Sequence, residues 1–359
     1  ITTHYYKGFG LQAEAAEMER TRELVELCHA HGIHVLGYCQ QTSVYPEALL
    51  DEIPDLREHV QYDPEGRLRY YSGSNYFRWQ GDQSSELFIG YLKRVITYGL
   101  IEIGLDGVEW DGTVYHCHCE RCRGAFREFL RAQYSGRERE LFGLPHFDHA
   151  LMPPKIALND PMYRALLRFR VQMMHDRLCE LYAHAKSVKE HAIFATYPHT
   201  PQFSRPDREA ILPATSDYLD LATSETHEMP RVEEDCRLIG SVRHLKQCSA
   251  LGVPTLVTSW ILYPDGYRAP ENAQEVKLSI AESACFGGHP FPATWANRPW
   301  GRDGKTLYLS PERGPVHALL RRPRGSLRRL AVTGERGGLL RPVLDGLRPR
   351  HRPGTPAGP

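Results

Sequence analysis

Hydrophobic and polar residues follow two alternating patterns along this chain. Short runs of β-branched and aromatic residues are each followed by a longer stretch with apolar residues at helical spacing, which is typical of repeated strand–helix units. Gly and Pro stand at several of the boundaries, and Ser84 is a candidate helix cap. Strands are predicted at residues 1–6, 33–38, around Val108, 192–197, 218–223, 253–260 and 291–295, and helices at residues 13–31, 84–96, 123–134, 161–189, 231–251 and 271–286.

The order of these elements predicts an α/β fold, a (β/α)₈ TIM barrel in which parallel strands alternate with helices. A chain of 359 residues accommodates one barrel of roughly 250 residues with insertions. Seven predicted strands are one short of closure, and the chain opens at Ile1 inside a strand-like run, so we expect the barrel to lack its first strand. We predict a catalytic barrel domain over residues 1–304, with a cysteine-containing insertion at 112–160.

Beyond residue 304 the composition changes. Arg, Gly and Pro dominate, acidic residues are few, and Tyr308 is the only aromatic residue. Because such a composition does not form a packed core, we predict that residues 305–359 are a basic tail, disordered or aberrant in sequence, outside the fold. A frame-shifted translation explains this tail better than a nucleic-acid-binding arm, which would carry interleaved aromatic residues.

The charge balance argues against two classes of partner. The 44 basic residues equal the 44 acidic ones, so no net field attracts nucleic acid or an anionic membrane. No apolar run approaches the roughly 18 residues that a membrane helix needs. Nine cysteines, an odd number, do not suggest a disulfide framework. We therefore expect neither nucleic acid nor a membrane as a partner, and a reducing, cytoplasmic location.

The densest set of acidic residues lies in the segment Asp106-Gly-Val-Glu-Trp-Asp111. Active sites of TIM barrels lie at the carboxyl ends of the strands, and this segment ends a predicted strand. Side chains alternate along a strand, so Glu109 and Asp111 share one face, with Cα atoms roughly 6–7 Å apart. Both are candidate catalytic carboxylates, and Asp111 lies nearer the mouth of the barrel.

Glycoside hydrolysis needs two carboxyl groups, about 5–5.5 Å apart for retention and 6.5–9.5 Å apart for inversion, and these usually come from different strands. Glu225 is the second candidate, because it lies just beyond the predicted strand 218–223. The main hypothesis is a retaining glycosidase in which Asp111 attacks the anomeric carbon and Glu225 is the acid/base. A helix cap or a loop ion pair is the structural alternative for either residue.

Aromatic and polar residues near the predicted strand ends are candidates for binding the carbohydrate substrate. Flat aromatic faces suit the apolar faces of pyranose rings, although core packing explains any one of these residues equally well. The candidates are His4, Tyr5, Tyr38, Trp79, Trp110, Trp260 and Trp295.

A cysteine cluster follows the acidic segment directly. Three thiolates at C-x-C-x₂-C spacing can bind one tetrahedral Zn²⁺, which would be structural because protein ligands fill every position. Reduced surface thiols without a metal are the alternative, and no cofactor is expected in catalysis itself. The three cysteines are Cys117, Cys119 and Cys122, and the candidates for the fourth ligand are His116, His118 and Cys39.

Residues 117–130, Cys-His-Cys-Glu-Arg-Cys-Arg-Gly-Ala-Phe-Arg-Glu-Phe-Leu, resemble the family 42 glycoside hydrolases, which are β-galactosidases, and their uncharacterised relatives. In that family such a segment holds a structural zinc near the acid/base residue. The Gly37-Tyr38 strand end and the pattern from Asp106 to Asp111 are similar to the hypothetical glycosyl hydrolase and α-fucosidase-like barrels. The resemblance covers roughly residues 1–304.

The two resemblances imply different site residues. Family 42 implies Glu109 as the acid/base, although this chain has Val108-Glu109 in place of the family's Asn-Glu and no evident match to its nucleophile on the seventh strand. The relatives with an Asp nucleophile imply that role for Asp111. A carbohydrate-binding or degenerate barrel without turnover is the alternative of a different class, and a homo-oligomer is left open.

Overall fold

Seven strands form one parallel sheet, and they pair in the same order in which they follow one another along the chain. This order is that of a chain in which each strand is joined to its neighbour by a helical crossover. In the part of the chain that the structure describes, β1 and β7 are the two edges of the sheet. The strands are β1 Thr2–Tyr6, β2 Leu36–Gln40, β3 Gly107–Asp111, β4 Ile193–Thr196, β5 Leu221–Thr226, β6 Thr255–Ser259 and β7 Gly288–Pro290.

This is a computed structural model, and it describes residues 1–71, 73, 75–112, 115–197, 211–226, 231–232, 238–259, 261–263, 266–268 and 273–290. All of them belong to one compact unit, residues 1–313. The predicted tail, 305–359, and the predicted strand 291–295 lie outside the described residues. Within the described ranges, no helix has the length and apolar character that crossing a membrane requires.

Among the described residues, six long helices lie between the strands. Local signals explain several of their ends, since the Asp160 side chain accepts a hydrogen bond at the start of the fourth helix and Gly252 ends the fifth with a positive φ of 74°. The long helices are α1 Ala15–Ala30, α2 Glu86–Ile101, α3 Glu120–Tyr134, α4 Pro161–Val188, α5 Val242–Leu251 and α6 Ala273–Cys285. Short helical turns lie at Pro46–Leu49, Leu56–His59, Glu138–Phe142, Phe147–His149, Ile211–Thr215 and Ser216–Tyr218.

The predicted repeat of strands and helices is confirmed over most of the chain, but three details differ. Ser85, not Ser84, caps α2, because its side chain accepts from the Phe88 amide while the Ser84 hydroxyl is bonded to Asp82. The helix predicted at 231–251 begins only at Val242. Two short antiparallel pairs are also present, Arg231–Val232 with Leu238–Ile239 and Ile261–Tyr263 with Gly266–Arg268.

The segment between β2 and α2, for which the sequence pattern predicts no strand or helix, contains a small antiparallel sheet. We call this three-stranded unit the side sheet. Two of its three strands have only two residues each, which is too short to show a periodic pattern. The side sheet consists of Ser43–Val44, Asn75–Gln80 and Tyr70–Tyr71, with Asn75–Gln80 in the centre.

The strand β3 is almost completely buried. Its residues from Gly107 to Trp110 are all buried, and only Asp111 at its carboxyl end is half-buried. A Cβ atom at Gly107 would lie 2.1 Å from the carbonyl oxygen of Ile193 on β4, so only glycine allows the two strands to approach this closely. The strand β3 therefore packs closely against β4 in the interior of the sheet.

Candidate active site and metal centre

The two carboxylates of β3 occupy different depths of the same strand face. Glu109 has no exposed surface and pairs in register with Tyr38 on β2, whereas the half-buried Asp111 pairs with Gln40 at the strand end. Alternation along the strand explains why both side chains share a face. The order of depth agrees with the expectation that Asp111 lies nearer the mouth.

The contacts of Glu109 with distant strands show that the sheet is curved. Its Oε1 atom accepts a hydrogen bond from the hydroxyl of Thr223 on β5, although β4 lies between the two strands. Thr2 on β1 lies beside the same carboxyl group. In a flat sheet β1 and β5 would be about 19 Å apart, so contacts with both require the sheet to curl around Glu109. The concave face of the sheet is the face that carries the carboxylates.

Burial raises the pKa of both carboxyl groups above the ordinary values. For Glu109 the Asp111 charge acts in the same direction, while the hydrogen bond from Thr223 and the nearby Thr2 hydroxyl oppose it. For Asp111 the opposing interactions are the hydrogen bond from Tyr38 and the positive charge of Arg78. Asp111 is therefore the carboxyl group that has a cation and a phenol to favour its ionised form.

Tyr38 is the direct partner of Asp111. Its hydroxyl donates to Asp111 Oδ2, and its oxygen accepts from Gln40 Nε2 at 3.1 Å. The Tyr38 ring is held edge-on by His4, with ring centroids 5.3 Å apart, and by Tyr197, at 5.8 Å. His4 and Tyr38, two of the predicted substrate-binding residues, are thus brought together beside Asp111.

Three other predicted substrate-binding residues face away from this place. Tyr5 is 2% exposed and donates its hydroxyl hydrogen to the Val95 carbonyl of α2 at 2.9 Å. Trp110 has no exposed surface, because it alternates with Glu109 and Asp111 and lies on the opposite strand face. Trp79 is 6% exposed in the side sheet and donates its Nε1–H to the Tyr76 carbonyl. These three side chains are buried and offer a sugar almost no surface to contact.

Other predicted site residues fall beyond what the structure describes. Trp260 and Trp295 lie outside the described residues. The backbone of Glu225 belongs to β5 and pairs with Thr258 on β6, but its side chain is not described. The strand therefore runs past Glu225 to Thr226, three residues beyond its predicted end.

Sequence reasoning missed the polar residues that surround the carboxylates. Gln40 and Tyr197 occupy strand ends, which is a signal that could have been used. Thr223 is a polar residue within a predicted strand. Arg78 lies in a segment for which the sequence predicts no strand or helix, and the local pattern does not indicate a role for it. The local pattern does not indicate Ser43 either, because Ser43 is connected to Asp111 through Gln40 and Tyr38.

The cysteine cluster closes around a carboxylate. One ligand atom from each of Asp82, Cys117, Cys119 and Cys122 lies within 4.8 Å of the others. Cys119 Sγ is 3.2 Å from Cys122 Sγ and 3.4 Å from Asp82 Oδ2, and Cys122 Sγ is 3.7 Å from Asp82 Oδ1. A tetrahedral zinc with Zn–S bonds near 2.3 Å requires neighbouring sulfur atoms about 3.8 Å apart. The four groups are therefore close enough to bind one metal ion.

Asp82 replaces all three predicted candidates for the fourth ligand. The Cys39 thiol is buried on β2 and contacts the Gly37 carbonyl at 3.4 Å. His118 Nε2 lies 3.2 Å from the guanidinium of Arg170. His116 is likewise absent from the group of four. Asp82 precedes the cysteines by 35 positions, so that only folding brings it to them.

The charges of the cluster suit a cation. Burial raises the pKa of Asp82 to about 6, and the neighbouring Cys119 acts in the same direction. Contacts with Cys117 and Cys122 lower the pKa of Cys119. The side chain of Arg121, 2.7 Å from Asp82 Oδ2, is a cation beside this acidic group. A divalent cation would relieve the crowding of these acidic ligands.

Asp106 opens the acidic segment but lies at the other end of β3. It accepts hydrogen bonds from the Val35 amide and from His29 Nε2, both at 2.8 Å, and His34 Nδ1 lies 3.2 Å away. Its side chain is 17% exposed. Asp106 therefore joins α1 and the start of β2 to the start of β3 and is remote from the carboxyl end of β3.

Comparison with known proteins adds one sequence relative and several structural ones. No family model matches the sequence. A stretch of 128 residues, 34% of this chain, is 27% identical to the β-galactosidase Bga of Halorubrum lacusprofundi and covers 18% of that protein. The chain thus spans a small part of its curated relative.

The fold is similar to that of several β-galactosidases. The structure of the Halorubrum lacusprofundi enzyme superposes with a TM-score of 0.60 at 19% identity, covering 77% of this chain and 45% of that one. The enzyme of Rahnella sp. R3 gives 0.63 at 12% identity, with 80% and 45% covered. Gan42B, a family 42 β-galactosidase from G. stearothermophilus, gives 0.64 at 12% identity, with 89% and 52% covered. The predicted resemblance to the family 42 β-galactosidases is thereby confirmed, in sequence over 128 residues and in fold over most of the chain.

Proposed function

We propose that this protein is a glycoside hydrolase that cleaves O-glycosidic bonds with retention of configuration and uses Asp111 as the nucleophile. The observation that carries the proposal is a half-buried carboxylate at the carboxyl end of β3, held by a phenol. This is where TIM-barrel enzymes place their catalytic groups. The relatives that are similar in sequence and fold are named as β-galactosidases, which supports a glycosidase.

A nucleophile of this kind must be ionised, oriented and reachable. The Tyr38 hydroxyl and the charge of Arg78 favour the ionised form of Asp111 against the effect of burial. The bond from Tyr38 to Oδ2 fixes the orientation of the carboxylate. Asp111 then attacks the anomeric carbon and forms a glycosyl–enzyme ester, which water hydrolyses.

Glu225 is the proposed acid/base. Its position on β5 is two residues beyond Thr223, so the two positions share one strand face, and Thr223 contacts Glu109 on the concave face. β5 lies two strand spacings from β3, roughly 10 Å between backbones, and a retaining pair requires the two carboxyl groups to lie about 5–5.5 Å apart. Glu225 would protonate the leaving oxygen and then deprotonate water.

Glu109 as the acid/base, the arrangement implied by family 42, is the second assignment. Its raised pKa suits a proton donor. Its complete burial and its bond to Thr223 speak for a supporting role beneath the substrate instead. A barrel that binds carbohydrate without turnover remains the alternative of a different class.

A structural zinc ion at Asp82, Cys117, Cys119 and Cys122 belongs to the same proposal. Four protein ligands fill a tetrahedral site and leave no position for a substrate. The Tyr62 amide lies 3.5 Å from Cys117 Sγ, so the site joins the insertion to the segment that leads into the side sheet.

The test is Asp111→Asn on a panel of nitrophenyl glycosides, starting from the β-galactoside. We expect kcat to fall by about a thousandfold or more and to recover partly with azide or formate, which replace the missing nucleophile. Glu225→Gln should retain more activity on nitrophenyl than on alkyl glycosides, because a nitrophenolate leaves without protonation. Asp106→Asn, on the same strand but outside the site, is the control. Near-normal turnover in Asp111→Asn would refute the assignment, and no turnover by the wild-type protein on any glycoside would favour a binding barrel.

A further inference from the structure

A chain of hydrogen bonds connects Asp111 with the side sheet. Arg78 lies on the central strand of that sheet, where its Nε and Nη2 atoms donate to Ser43 Oγ at 2.8 and 2.6 Å. Arg78 Nη2 and the Ser43 hydroxyl both donate to Gln40 Oε1. Gln40 Nε2 donates to the Tyr38 oxygen, and the Tyr38 hydroxyl donates to Asp111.

The chain can run in one direction only. A guanidinium has donors and no acceptor, so the Gln40 oxygen must face Arg78 and the Gln40 NH₂ group must face Tyr38. The Tyr38 oxygen then accepts from Gln40, and its single hydrogen is left for Asp111. If the Gln40 amide were turned over, its NH₂ group would point at the cation and its oxygen at Tyr38. The Tyr38 hydrogen could then be drawn away from the carboxylate.

Arg78 is itself held in place. Its guanidinium carbon lies 3.5 Å from the centroid of the Tyr71 ring, on the neighbouring strand of the side sheet. Stacking on a ring and two bonds to Ser43 restrict the side chain to one geometry. The orientation of the catalytic carboxylate thus depends on a sheet that lies outside the parallel strands.

We propose that Arg78 is a positioning residue for Asp111: through Ser43 and Gln40 it directs the Tyr38 hydroxyl hydrogen onto the carboxylate. This inference rests on the proposed function, because it assumes that Asp111 is the nucleophile. Arg78 acts by fixing the direction of each bond, and its charge adds to the stabilisation of the ionised carboxylate.

Several groups face this carboxylate and share in its titration. Tyr38 from β2 and Arg78 from the side sheet favour the ionised form, and Glu109 on β3 interacts with it as a second carboxylate. His4 on β1 and Tyr197 after β4 border the Tyr38 ring. A change at Arg78 that leaves all of these in place isolates the contribution of the hydrogen-bond chain.

The experiment compares Arg78→Met, which keeps the bulk and removes the donors, with Arg78→Lys and with a control, Arg67→Met. Arg67 is exposed near the side sheet and pairs only with Asp63 and Glu65 among the described residues. In Arg78→Met we expect kcat to fall roughly tenfold to a hundredfold with little change in KM, and the acid limb of kcat/KM to move up by as much as about one pH unit. Arg78→Lys should recover part of both effects, and Arg67→Met should match the wild type.

A second measurement does not depend on activity. An infrared pH titration reports the protonated carboxyl band that disappears in Asp111→Asn, and this band should appear at higher pH in Arg78→Met than in the wild type. An unchanged band and an unchanged acid limb would overturn the inference, as would a rise in KM alone, which indicates substrate binding. If Asp111→Asn stays active while the band still shifts, the proposed function fails and the hydrogen-bond chain stands.

Discussion

Two carboxylates that are separated by a single residue have different surroundings in this protein. Glu109 is enclosed by threonines beneath the site, and Asp111 is bonded to a phenol near the mouth. The alternation of the strand predicts that the two share a face, and the structure agrees. What each carboxylate contacts comes from β1, β2 and β5, which the local sequence around residue 109 does not reveal.

The pH profile gives a prediction at this scale. Burial raises the pKa of Asp111, and catalysis requires its ionised form, so activity should be lost at a higher pH than for an ordinary aspartate as the solution is acidified. Tyr38→Phe removes a donor to the ionised form, so the acid limb of kcat/KM should move higher still. Steady-state kinetics between pH 4 and about 8 would show it. A limb that stays in place or moves lower in Tyr38→Phe would contradict the assignment of Asp111.

At the scale of elements, the ends of strands are held by side chains that serve different purposes. The carboxyl end of β3 carries the candidate site, while Asp106 at the opposite end joins α1, β2 and β3. The sequence segment from Asp106 to Asp111 therefore combines one structural carboxylate, Asp106, with two candidate catalytic carboxylates, Glu109 and Asp111. The side sheet was not predicted, because two of its three strands are too short to show a periodic pattern. Arg78 lies on the third strand of this sheet.

Asp106→Asn tests the structural role. Although burial opposes ionisation, hydrogen bonds from the Val35 amide and from His29 and His34 lower the pKa of Asp106 to about 2. A folded-state pKa below the unfolded value means that this stabilisation is present above about pH 4 and is lost as the pH falls towards 2. We expect Asp106→Asn to lower the free energy of unfolding at pH 7 by on the order of 1–2 kcal/mol without loss of kcat.

Urea denaturation at pH 7 and at pH 3.5 would measure the free energy of unfolding of Asp106→Asn and of the wild type. The difference between the two free energies should be smaller at pH 3.5 than at pH 7. A variant that is as stable as the wild type at pH 7 would show that the hydrogen bonds of Asp106 do not contribute to the stability of the fold. A large loss of activity at full stability would place Asp106 in the site after all.

At the scale of the whole molecule, two features join segments that are far apart in the chain. Glu109 connects β3 with β5 across the concave face, and the metal cluster joins Asp82, just before α2, with the insertion at Cys117–Cys122. Ligands that are fixed by separate elements form a site only after folding, so metal binding at this cluster would be coupled to folding.

Removal of the metal gives the prediction at this scale. The purified protein should contain about one zinc per chain, and Cys119→Ser or a strong chelator should remove it and lower Tm by about 5 °C or more. Asp82→Ala should weaken zinc binding as well, and Glu120→Gln, whose side chain is 80% exposed beside the cluster, is the control. Elemental analysis and thermal denaturation are the measurements. A structural metal would be excluded if the purified protein contained no zinc, or if the chelator did not change its Tm.

The sequence by itself determined the succession of strands and helices, the shared face of Glu109 and Asp111, and the likeness of residues 117–130 to family 42. Each of these features involves residues that are close together in the sequence. The periods of helices and strands, or a short motif, therefore indicate them without knowledge of the tertiary structure. Only the tertiary structure decided that Asp82 joins the cysteines, that Arg78 reaches Asp111 through Gln40 and Tyr38, and that Trp110 is buried. Each of these depends on which elements meet once the sheet curls, and the curvature is a property of all the strands together.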